Sequence, residues 1–277
     1  NARKREQELS HQFEASVRDG DFFVVFQPKV DPMHQQLCGA EALVRWRHPK
    51  LGLIAPSDFI PLFEKDGNVC QLDLVVMEQV CRWLRHQLDL GKKPVPVSVN
   101  LSRMHFRNPH FLDEFRDLRI RYDLPAGLIE LELTESICFD RQQRRLVQRT
   151  IEQMHTYGFR CSIDDFGVGF SSLALIREWE IDTIKLDRQF FEEISDIRTQ
   201  EVIVSFIELA HKLRIQVVAE GIESEDQVEF LRRAGCDQIQ GFVYSRPLTL
   251  SEFENWEVSP RWETGKELDF SGRPVIH

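Results

Sequence analysis

Residues 161–173 have the sequence Cys161-Ser162-Ile163-Asp164-Asp165-Phe166-Gly167-Val168-Gly169-Phe170-Ser171-Ser172-Leu173. The first five residues predict a β-strand with Ser162 and Asp164 on one face and Asp165 on the other, because side chains alternate along a strand. Adjacent carboxylates repel each other, so the pair at the end of this strand indicates a bound cation, with a solvated turn as the alternative. The glycines that follow favour a loop that a ligand can approach closely, and Ser171 and Ser172 are candidate caps for a helix.

Strands and helices alternate on both sides of this stretch. Apolar runs predict strands at residues 22–27, where Pro28 is expected to end the strand, and at 37–45, 95–100, 129–134, 161–165, 183–187, 216–220 and 237–241. Helical periodicity and capping residues predict helices at 9–19, 57–65 (capped by Ser57), 68–90 (capped by Asn68), 109–122, 141–157, 172–178, 199–213, 224–234 and 251–256. This α/β rhythm favours a TIM-like (β/α)₈ barrel over an open sheet, which usually carries a glycine-rich phosphate loop after an early strand.

The composition narrows the class of protein. The chain has 277 residues and a net charge of −10, which argues against broad nucleic-acid binding (DNA or RNA) but permits one small phosphate-containing ligand. Its six cysteines form no Cys-x-x-Cys pair, which predicts reduced thiols in a cytoplasmic domain. No apolar run is long enough to span a membrane, although the parent protein is free to carry an anchor elsewhere.

The ends of the chain predict a domain within a longer protein. The sequence does not begin with Met, and its first ten residues are polar. We therefore expect the domain to span residues 1–258, preceded by a regulatory or sensor domain in the full-length protein. Residues 259–277 are polar and are expected to form a peripheral tail.

Polar side chains cluster at the predicted carboxyl ends of the strands, where barrels of this kind build their sites. Seven strands end in such residues, namely Glu41 with Arg45, Asn100, Glu132, Asp164 with Asp165, Lys185 with Asp187, Glu220, and Gln240. A charge that faces into a barrel is costly unless it is paired or bound to a metal. So many such residues favour a catalytic site over a single internal ion pair.

The residue types indicate a metal-dependent phosphoester hydrolase. Oxygen-only ligands at Glu41, Asn100, Glu132 and Asp164 suit Mg²⁺, Mn²⁺ or Ca²⁺. A second ion held by Asp165 and Glu220, and sharing Asp164, would complete a two-metal site for phosphodiester cleavage.

Two basic residues are candidates for catalysis and phosphate binding. Lys185 is placed to orient the attacking water or to stabilise the transition state, and Arg45 to bind a phosphate oxygen. An internal salt bridge between Lys185 and Asp187 is the alternative for that pair. Calcium is expected to inhibit, because its longer and looser bonds misplace the water.

One motif points to a different class. Asp165-Phe166-Gly167 matches the Asp-Phe-Gly of protein kinases, but the rest of the kinase signature set is absent. The nine histidines stand singly and are interpreted as surface or core residues.

Taken together, the motifs resemble the EAL-domain family of bacterial cyclic di-GMP phosphodiesterases from about Leu9 to Trp256. The resemblance is carried by Phe26-Gln27-Pro28, Gly39-Ala40-Glu41-Ala42-Leu43-Val44-Arg45-Trp46, Ser98-Val99-Asn100-Leu101-Ser102, Glu132-Leu133-Thr134-Glu135-Ser136, residues 164–172, Lys185-Leu186-Asp187, Ala219-Glu220-Gly221-Ile222-Glu223 and Gln240-Gly241-Phe242. It implies a barrel with an antiparallel first strand. It also implies signal transduction through hydrolysis of cyclic di-GMP to linear pGpG with Mg²⁺ or Mn²⁺, as well as a homodimer.

The resemblance also implies residue roles. The first metal ion would be held by Glu41, Asn100, Glu132 and Asp164, and the second by Asp165, with Glu220 as a further ligand or general base. Lys185 would hold the catalytic water, and Glu135 would steady the loop at 165–172, which in the family links the site to the dimer interface. Gln27, Arg45 and Gln240 would contact the substrate.

Two alternatives remain at this stage. A catalytically silent receptor for cyclic di-GMP would usually have lost an acid or glycine of these motifs, and none is lost here. Another metal-dependent barrel enzyme would act on a different phosphodiester. The complete set of acids predicts an active enzyme.

Overall fold

The computed structural model describes residues 2–135, 141–167 and 172–258. The strands are β1 (Phe22–Asp31), β2 (Gln36–His48), β3 (Gly52–Ile54), β4 (Val97–Asn100), β5 (Ile129–Thr134), β6 (Arg160–Phe166), β7 (Thr183–Leu186), β8 (Gln216–Ala219) and β9 (Gln238–Ile239). The helices are α1 (Ala2–Asp19), α2 (Pro56–Asp66), α3 (Val69–Asp89), α4 (Phe111–Arg121), α5 (Arg141–Thr156), α6 (Ser172–Glu178), α7 (Ile197–Lys212), α8 (Glu225–Ala234) and α9 (Leu250–Glu254). The predicted Ser171 cap and the predicted tail at 259–277 lie outside the described residues.

Eight of these strands close into a barrel. The order is β1-β2-β4-β5-β6-β7-β8-β9, and β9 returns to β1, while β3 extends β2 as a hairpin. The first strand runs antiparallel to both of its neighbours, and the pairs from β2–β4 to β8–β9 are parallel. The predicted (β/α)₈ barrel with an antiparallel first strand is confirmed. Its parallel strands therefore bring their carboxyl ends to one rim.

The prediction that Pro28 ends the first strand is wrong. The strand continues to Asp31, and Pro28 lies opposite Ala40 of β2. The Phe26 N–H points away from β2 and donates to the Leu248 carbonyl at 2.8 Å. The nitrogen of Pro28, two residues further on, faces the same side, where a missing donor does not break the β1–β2 ladder.

The predicted Ser57 cap is also wrong, whereas the start of α8 agrees with its prediction. Pro56 occupies the first turn of α2, with Ala55 before it, because proline already has a helical φ and lacks the N–H that would need a cap. Asn68 does precede α3, but its side chain makes no capping hydrogen bond. Ser224 and Gln227 form a reciprocal capping box at the start of α8.

The apolar core lies between the barrel and its helices, while the barrel interior is polar. On β5, Leu131 and Leu133 point outward into the core, and Glu130 and Glu132, both buried, point inward. Strand alternation thus separates an apolar outer face from a charged inner face. The buried polar residues of the interior include Lys29, Ser98, Glu130, Glu132, Ser162, Thr183 and Lys185.

A second apolar cluster fixes the amino-terminal part of the chain. The Phe22 and Trp46 rings stack with centroids 5.0 Å apart, and the rings of Phe13, Phe59 and Phe63 surround them. Because Trp46 lies on β2, this cluster anchors the strand that carries Glu41.

Two other expectations concern the location of the protein. None of the described helices is long and apolar enough to cross a bilayer. The described cysteines, Cys38, Cys70, Cys81, Cys161 and Cys236, are free thiols, while Cys138 lies outside the described residues.

Candidate active site

A cleft of about 340 Å³ opens at the rim formed by the carboxyl ends of the strands. Seven of the polar residues singled out from the sequence line it, namely Gln27, Glu41, Asp164, Lys185, Asp187, Glu220 and Gln240. The barrel closure brings them together from β1, β2, β6, β7, the end of β8 and the end of β9.

Lys185 lies at the centre of the cluster. Its ammonium Nζ contacts four carboxylates, at 2.7 Å from Glu132 Oε2, 2.8 Å from Glu220 Oε1, 3.3 Å from Asp164 Oδ1 and 3.4 Å from Glu41 Oε2. Burial opposes the charge on this side chain, but the surrounding acids raise the pKa of Lys185 well above its usual value. Lys185 is therefore a permanent cation at the floor of the cleft.

Glu41 joins the two sides of the cluster. Its Oε1 accepts a hydrogen bond from Asn100 Nδ2 at 3.0 Å, and its Oε2 accepts one from Gln240 Nε2 at 2.6 Å. The same Gln240 amide donates to Gln27 Oε1 at 3.1 Å. Asn100, Gln240 and Lys185, which come from three different elements, thus hold this carboxylate in one orientation.

Glu132 lies between two lysines. Its Oε2 pairs with Lys185, and its Oε1 pairs with Lys29 Nζ at 3.1 Å. Burial acts to raise the pKa of this carboxyl, but the two lysines outweigh it and lower the pKa to about 2. Glu132 is therefore ionised at any physiological pH.

The cluster contains more acids than the single charge of Lys185 can balance, so the ionised forms of some of them are disfavoured. Burial, together with Asp164 and Glu41, raises the pKa of Glu220 well above its usual value despite the contact with Lys185. Burial, then Asp164 and Asp187, raises the pKa of Asp165. Mutual repulsion of this kind is what a divalent cation relieves.

The donor chemistry fits such a cation, although the present arrangement is built around the ammonium group. In the described part of the chain, no three His, Cys, Asp or Glu side chains stand together as a ready metal site. The Oε1 of Gln240 is buried without a hydrogen-bond partner at the same rim. Carboxylate and amide oxygens in excess of one lysine suit Mg²⁺ or Mn²⁺ and not a thiol-seeking metal.

The two adjacent aspartates are separated by a backbone turn. Asp165 has a φ of +54°, and its N–H donates to Asp164 Oδ1 at 2.9 Å. The pairing of β6 with β7 is irregular between Ile163 and Phe166. The alternation predicted for this strand therefore stops at Asp164, and the left-handed turn redirects Asp165 near the rim.

Glu135 holds the start of the next loop. Its Oε2 accepts a hydrogen bond from the Gly167 N–H at 2.9 Å. Gly167 has a φ of +94°, and a Cβ added to it would lie 2.2 Å from Phe190 Cζ. Residues 168–171, the remainder of the predicted loop, lie outside the described residues.

Arg45 and Asp187 do not belong to the cluster of side chains around Lys185. The Arg45 guanidinium donates to the Val44 carbonyl at 2.8 Å, and Arg45 does not line the described cleft. Asp187 lines the cleft, but its Oδ1 accepts from the Gln189 N–H at 2.9 Å and caps a 3₁₀ turn. The alternative ion pair of Lys185 with Asp187 is not among the contacts of the described residues.

Other residues near the site had no role predicted from the sequence. Phe242, half-exposed, and Arg188 line the cleft, and Lys29 contacts Glu132 from below. The position of Phe242 directly after Gln240-Gly241 was a usable signal. Lys29 gave none, because its partners lie on strands far away in the chain.

Gly241 makes the closest backbone contact of the rim, and we expect Gly241→Ala to destabilise the protein. A Cβ at this position would lie 2.1 Å from the Ile222 carbonyl oxygen, and Ile222 is held by hydrogen bonds to Gln240 and Val243. The backbone cannot move aside, so we expect a loss of about 1–3 kcal/mol in the free energy of unfolding. Activity should fall as well, since Glu220 and Gln240 are adjacent to the clash.

Denaturant unfolding and an activity assay check this prediction. Gly39→Ala is the control, because neither Gly39 nor Gly241 has a positive φ and a Cβ added to Gly39 would lie no closer than 3.5 Å to its neighbours. Equal effects of the two substitutions would show that the close approach at Gly241 is unimportant.

Comparison with known proteins agrees with this geometry. The EAL-domain family model matches residues 7–247. The chain is 37% identical over 250 residues to the bifunctional diguanylate cyclase/cyclic di-GMP phosphodiesterase MucR of Pseudomonas aeruginosa, covering 90% of this chain and 36% of that protein. It is 34% identical over 265 residues to the cyclic di-GMP phosphodiesterase NbdA of the same organism. That match covers 95% of this chain and 34% of NbdA.

A solved structure described as the PaMucR phosphodiesterase in complex with c-di-GMP matches with a TM-score of 0.81 and 35% identity, covering 89% of this chain and 99% of that one. The chain spans about a third of the length of the two curated relatives. The match to the family model covers most of the chain and includes every acid of the cluster. This chain belongs to the EAL-domain family.

Proposed function

We propose that this chain is a metal-dependent phosphodiesterase that hydrolyses cyclic di-GMP to linear pGpG in bacterial second-messenger signalling. The observation that carries the proposal is the convergence of Glu41, Glu132, Asp164 and Glu220 on the Lys185 ammonium in an open cleft. Two supports come from relatives, since NbdA is named a cyclic di-GMP phosphodiesterase and the PaMucR structure holds c-di-GMP.

Two Mg²⁺ or Mn²⁺ ions are the proposed cofactors. Glu41, Asn100, Glu132 and Asp164 would hold the first, and Asp165 and Glu220 the second. When bound, such ions lower the pKa of a water molecule and neutralise charge on the phosphodiester.

The chain's own residues perform the remaining tasks. In the reaction, the water oxygen bonds to phosphorus, the bond from phosphorus to the 3′ oxygen breaks, and that oxygen takes up a proton. In this proposal Lys185 orients the water and stabilises the added negative charge, while Glu220 accepts the proton of the water. Gln27, Arg45 and Gln240 are proposed substrate contacts, and Phe242 offers an aromatic face to a guanine base.

Incubation with cyclic di-GMP in Mg²⁺ or Mn²⁺, followed by chromatography of the nucleotides, tests the proposal. We expect conversion to pGpG, no conversion with EDTA, and inhibition by Ca²⁺, whose looser coordination misplaces the water. Cyclic AMP and linear dinucleotides in parallel reactions identify a different phosphodiester as substrate. Tight binding of cyclic di-GMP without turnover would favour the receptor alternative instead.

The assembly and location complete the proposal. We expect a homodimer linked to the site through the loop at 165–172, which begins at the Glu135–Gly167 hydrogen bond. We also propose an N-terminal regulatory or sensor domain and a cytoplasmic location. The chain's coverage of about a third of its curated relatives supports the first, and the messenger chemistry supports the second. Sedimentation equilibrium of the domain with and without cyclic di-GMP measures the dimer.

We expect Asp165→Asn to reduce the rate far more than substrate binding. Asn tolerates the φ of +54° at this position, so the backbone should stay in place. Losing one carboxylate charge removes stabilisation that is needed mainly in the transition state, and kcat should fall by about 100-fold or more. Steady-state kinetics separate the two effects, and a rise in KM with unchanged kcat would contradict the second-metal role.

A further inference from the structure

A chain of alternating charges runs through the barrel below the cleft. Lys185 Nζ lies 2.7 Å from Glu132 Oε2, and Glu132 Oε1 lies 3.1 Å from Lys29 Nζ. Lys29 Nζ is in turn 3.7 Å from Glu130 Oε1, and Glu130 Oε2 is 3.7 Å from Arg160 Nε. The series therefore connects the catalytic lysine to the opposite end of the barrel.

Lys29 reaches this position because the first strand is antiparallel. Gln27 and Lys29 lie two residues apart on one face of β1, and Gln27 lines the cleft while Lys29 does not. Instead, Lys29 lines a small cavity of about 20 Å³ at the other end, together with Glu130, Arg160 and Gln238. Only 2% of Lys29 is exposed, so its ammonium is a fully buried cation.

Lys29 Nζ donates two hydrogen bonds, to Glu132 and Ser98, and forms an ion pair with Glu130 at 3.7 Å. The hydrogen bond to Ser98 Oγ measures 2.8 Å. The partners come from β4 and β5, so the side chain is fixed by two neighbouring strands. A buried lysine held this tightly is a rigid support and not a mobile counter-ion.

Glu130 and Arg160, at the end of the series furthest from the cleft, are also held by hydrogen bonds. Glu130 Oε2 accepts a hydrogen bond from Thr183 Oγ1 at 2.8 Å, and Arg160 Nη2 donates to Gln216 Oε1 at 2.6 Å. These contacts tie β5, β6, β7 and β8 together beneath Lys29.

The importance of Lys29 follows from the two oxygens of Glu132. Glu132 Oε1 pairs with Lys29 and Oε2 pairs with Lys185, so the two lysines together fix the plane of the carboxylate. Without Lys29, the inner oxygen would lose its charged partner at a fully buried site, and the carboxylate could rotate to present both oxygens to Lys185. Lys185 would then shift relative to Glu220 and Asp164.

We propose that Lys29 is a positioning residue of the phosphodiesterase reaction, which acts through Glu132 to set the position of Lys185. This inference rests on the proposed function and adds to it a residue that lies outside the cleft. Groups that orient metal ligands and catalytic side chains in this indirect way commonly change activity by about 10- to 100-fold when they are removed.

The test compares three variants of the whole chain with the wild type. Lys29→Met keeps the length of the side chain and removes its charge. The double variant Lys29→Met/Glu130→Gln also removes the acid that Lys29 would leave unbalanced. Leu118→Ala, in the second half of α4, is the control for general destabilisation, because Leu118 is a buried core residue outside the site.

The readouts are kcat and KM for cyclic di-GMP at saturating Mn²⁺, the melting temperature, and Mn²⁺ affinity by calorimetry without nucleotide. For Lys29→Met we expect kcat to fall about 10- to 100-fold with little change in KM. Mn²⁺ should bind at least as tightly as to the wild type, because a positive charge has been removed. The double variant should recover melting temperature without recovering kcat, and Leu118→Ala should lose melting temperature and keep its kcat.

Three results would overturn the proposal. These are wild-type kcat in Lys29→Met, recovery of kcat in the double variant, and a loss of Mn²⁺ affinity in proportion to the loss of kcat. If Lys29→Met does not fold, the double variant decides the question alone. Absence of turnover in the wild type would instead refute the proposed function, so the two failures are distinct.

Discussion

Glu41→Ala abolishes turnover of cyclic di-GMP and leaves the barrel folded: this is the first of the two largest effects that we expect. Glu41 accepts hydrogen bonds from Asn100 and Gln240 and contacts Lys185, so its loss removes a proposed metal ligand and releases three neighbours. A loss of at least about 100- to 1,000-fold in kcat is expected for a group that stabilises charge in the transition state.

Removing only the charge of Glu41 is expected to affect stability differently from turnover. Without metal, four carboxylates surround one ammonium group, and Glu41 is the most distant of them at 3.4 Å. Removing its charge relieves repulsion, so the isosteric Glu41→Gln variant should melt at the same temperature as the wild type or higher when EDTA is present. This comparison separates a catalytic acid from a structural one.

Nucleotide chromatography and thermal melts in EDTA measure both effects. Glu208→Ala is the matched control, since Glu208 is an exposed glutamate on α7. Retained turnover in Glu41→Ala would refute the ligand assignment, and a much lower melting temperature of Glu41→Gln would show that Glu41 mainly supports the fold.

Lys185→Met should lower the stability of the protein, in contrast to Glu41→Gln. It should abolish turnover, as Glu41→Ala does. Its ammonium group is 1% exposed and is the shared partner of four acids, which would be left facing one another. Removing one partner of a buried ion pair costs about 3–5 kcal/mol, which corresponds to a drop of roughly 10 °C or more in melting temperature.

Divalent ions should partly restore this variant. A cation bound among the unpaired acids replaces the missing positive charge, and a ligand that binds only the folded state raises its stability. We therefore expect Mg²⁺ or Mn²⁺ to raise the melting temperature of Lys185→Met more than that of the wild type, while turnover stays absent.

Differential scanning calorimetry with and without Mg²⁺ provides the measurement. Lys212→Met, at the exposed end of α7, is the control for the loss of a positive charge. A variant that melts like the wild type, or that gains nothing from metal, would show that the acids are not held together by Lys185.

Local features were predictable from the chain because their causes are local. The capping box at Ser224 and Gln227 and the left-handed Gly235 that ends α8 need residues within one helix. The alternation of Glu130 and Glu132 with leucines likewise showed that β5 has two unlike faces. The motif acids could be listed in order for the same reason.

Features that depend on distant partners were mispredicted or missed. Pro28 is compatible with β1 because of where β9 and Leu248 lie, more than 200 residues later. The partner of Lys29 is Glu132, 103 positions away, so no spacing rule could pair them. The turn at Asp165, which changes the direction of an acid, is likewise decided by how β6 meets β7.

By itself, then, the sequence determined which residues form strands, which faces are polar and which acids are available, since these follow from side-chain alternation and local hydrogen bonding. Only the tertiary structure decided that the acids meet around Lys185. It also decided that Lys29, Glu130 and Arg160 extend this cluster as a series of alternating charges through the barrel. The physical reason is closure: eight strands in a ring bring side chains from remote parts of the chain within 4 Å in a buried interior. In that interior, a charged side chain is stable only when an opposite charge lies close to it.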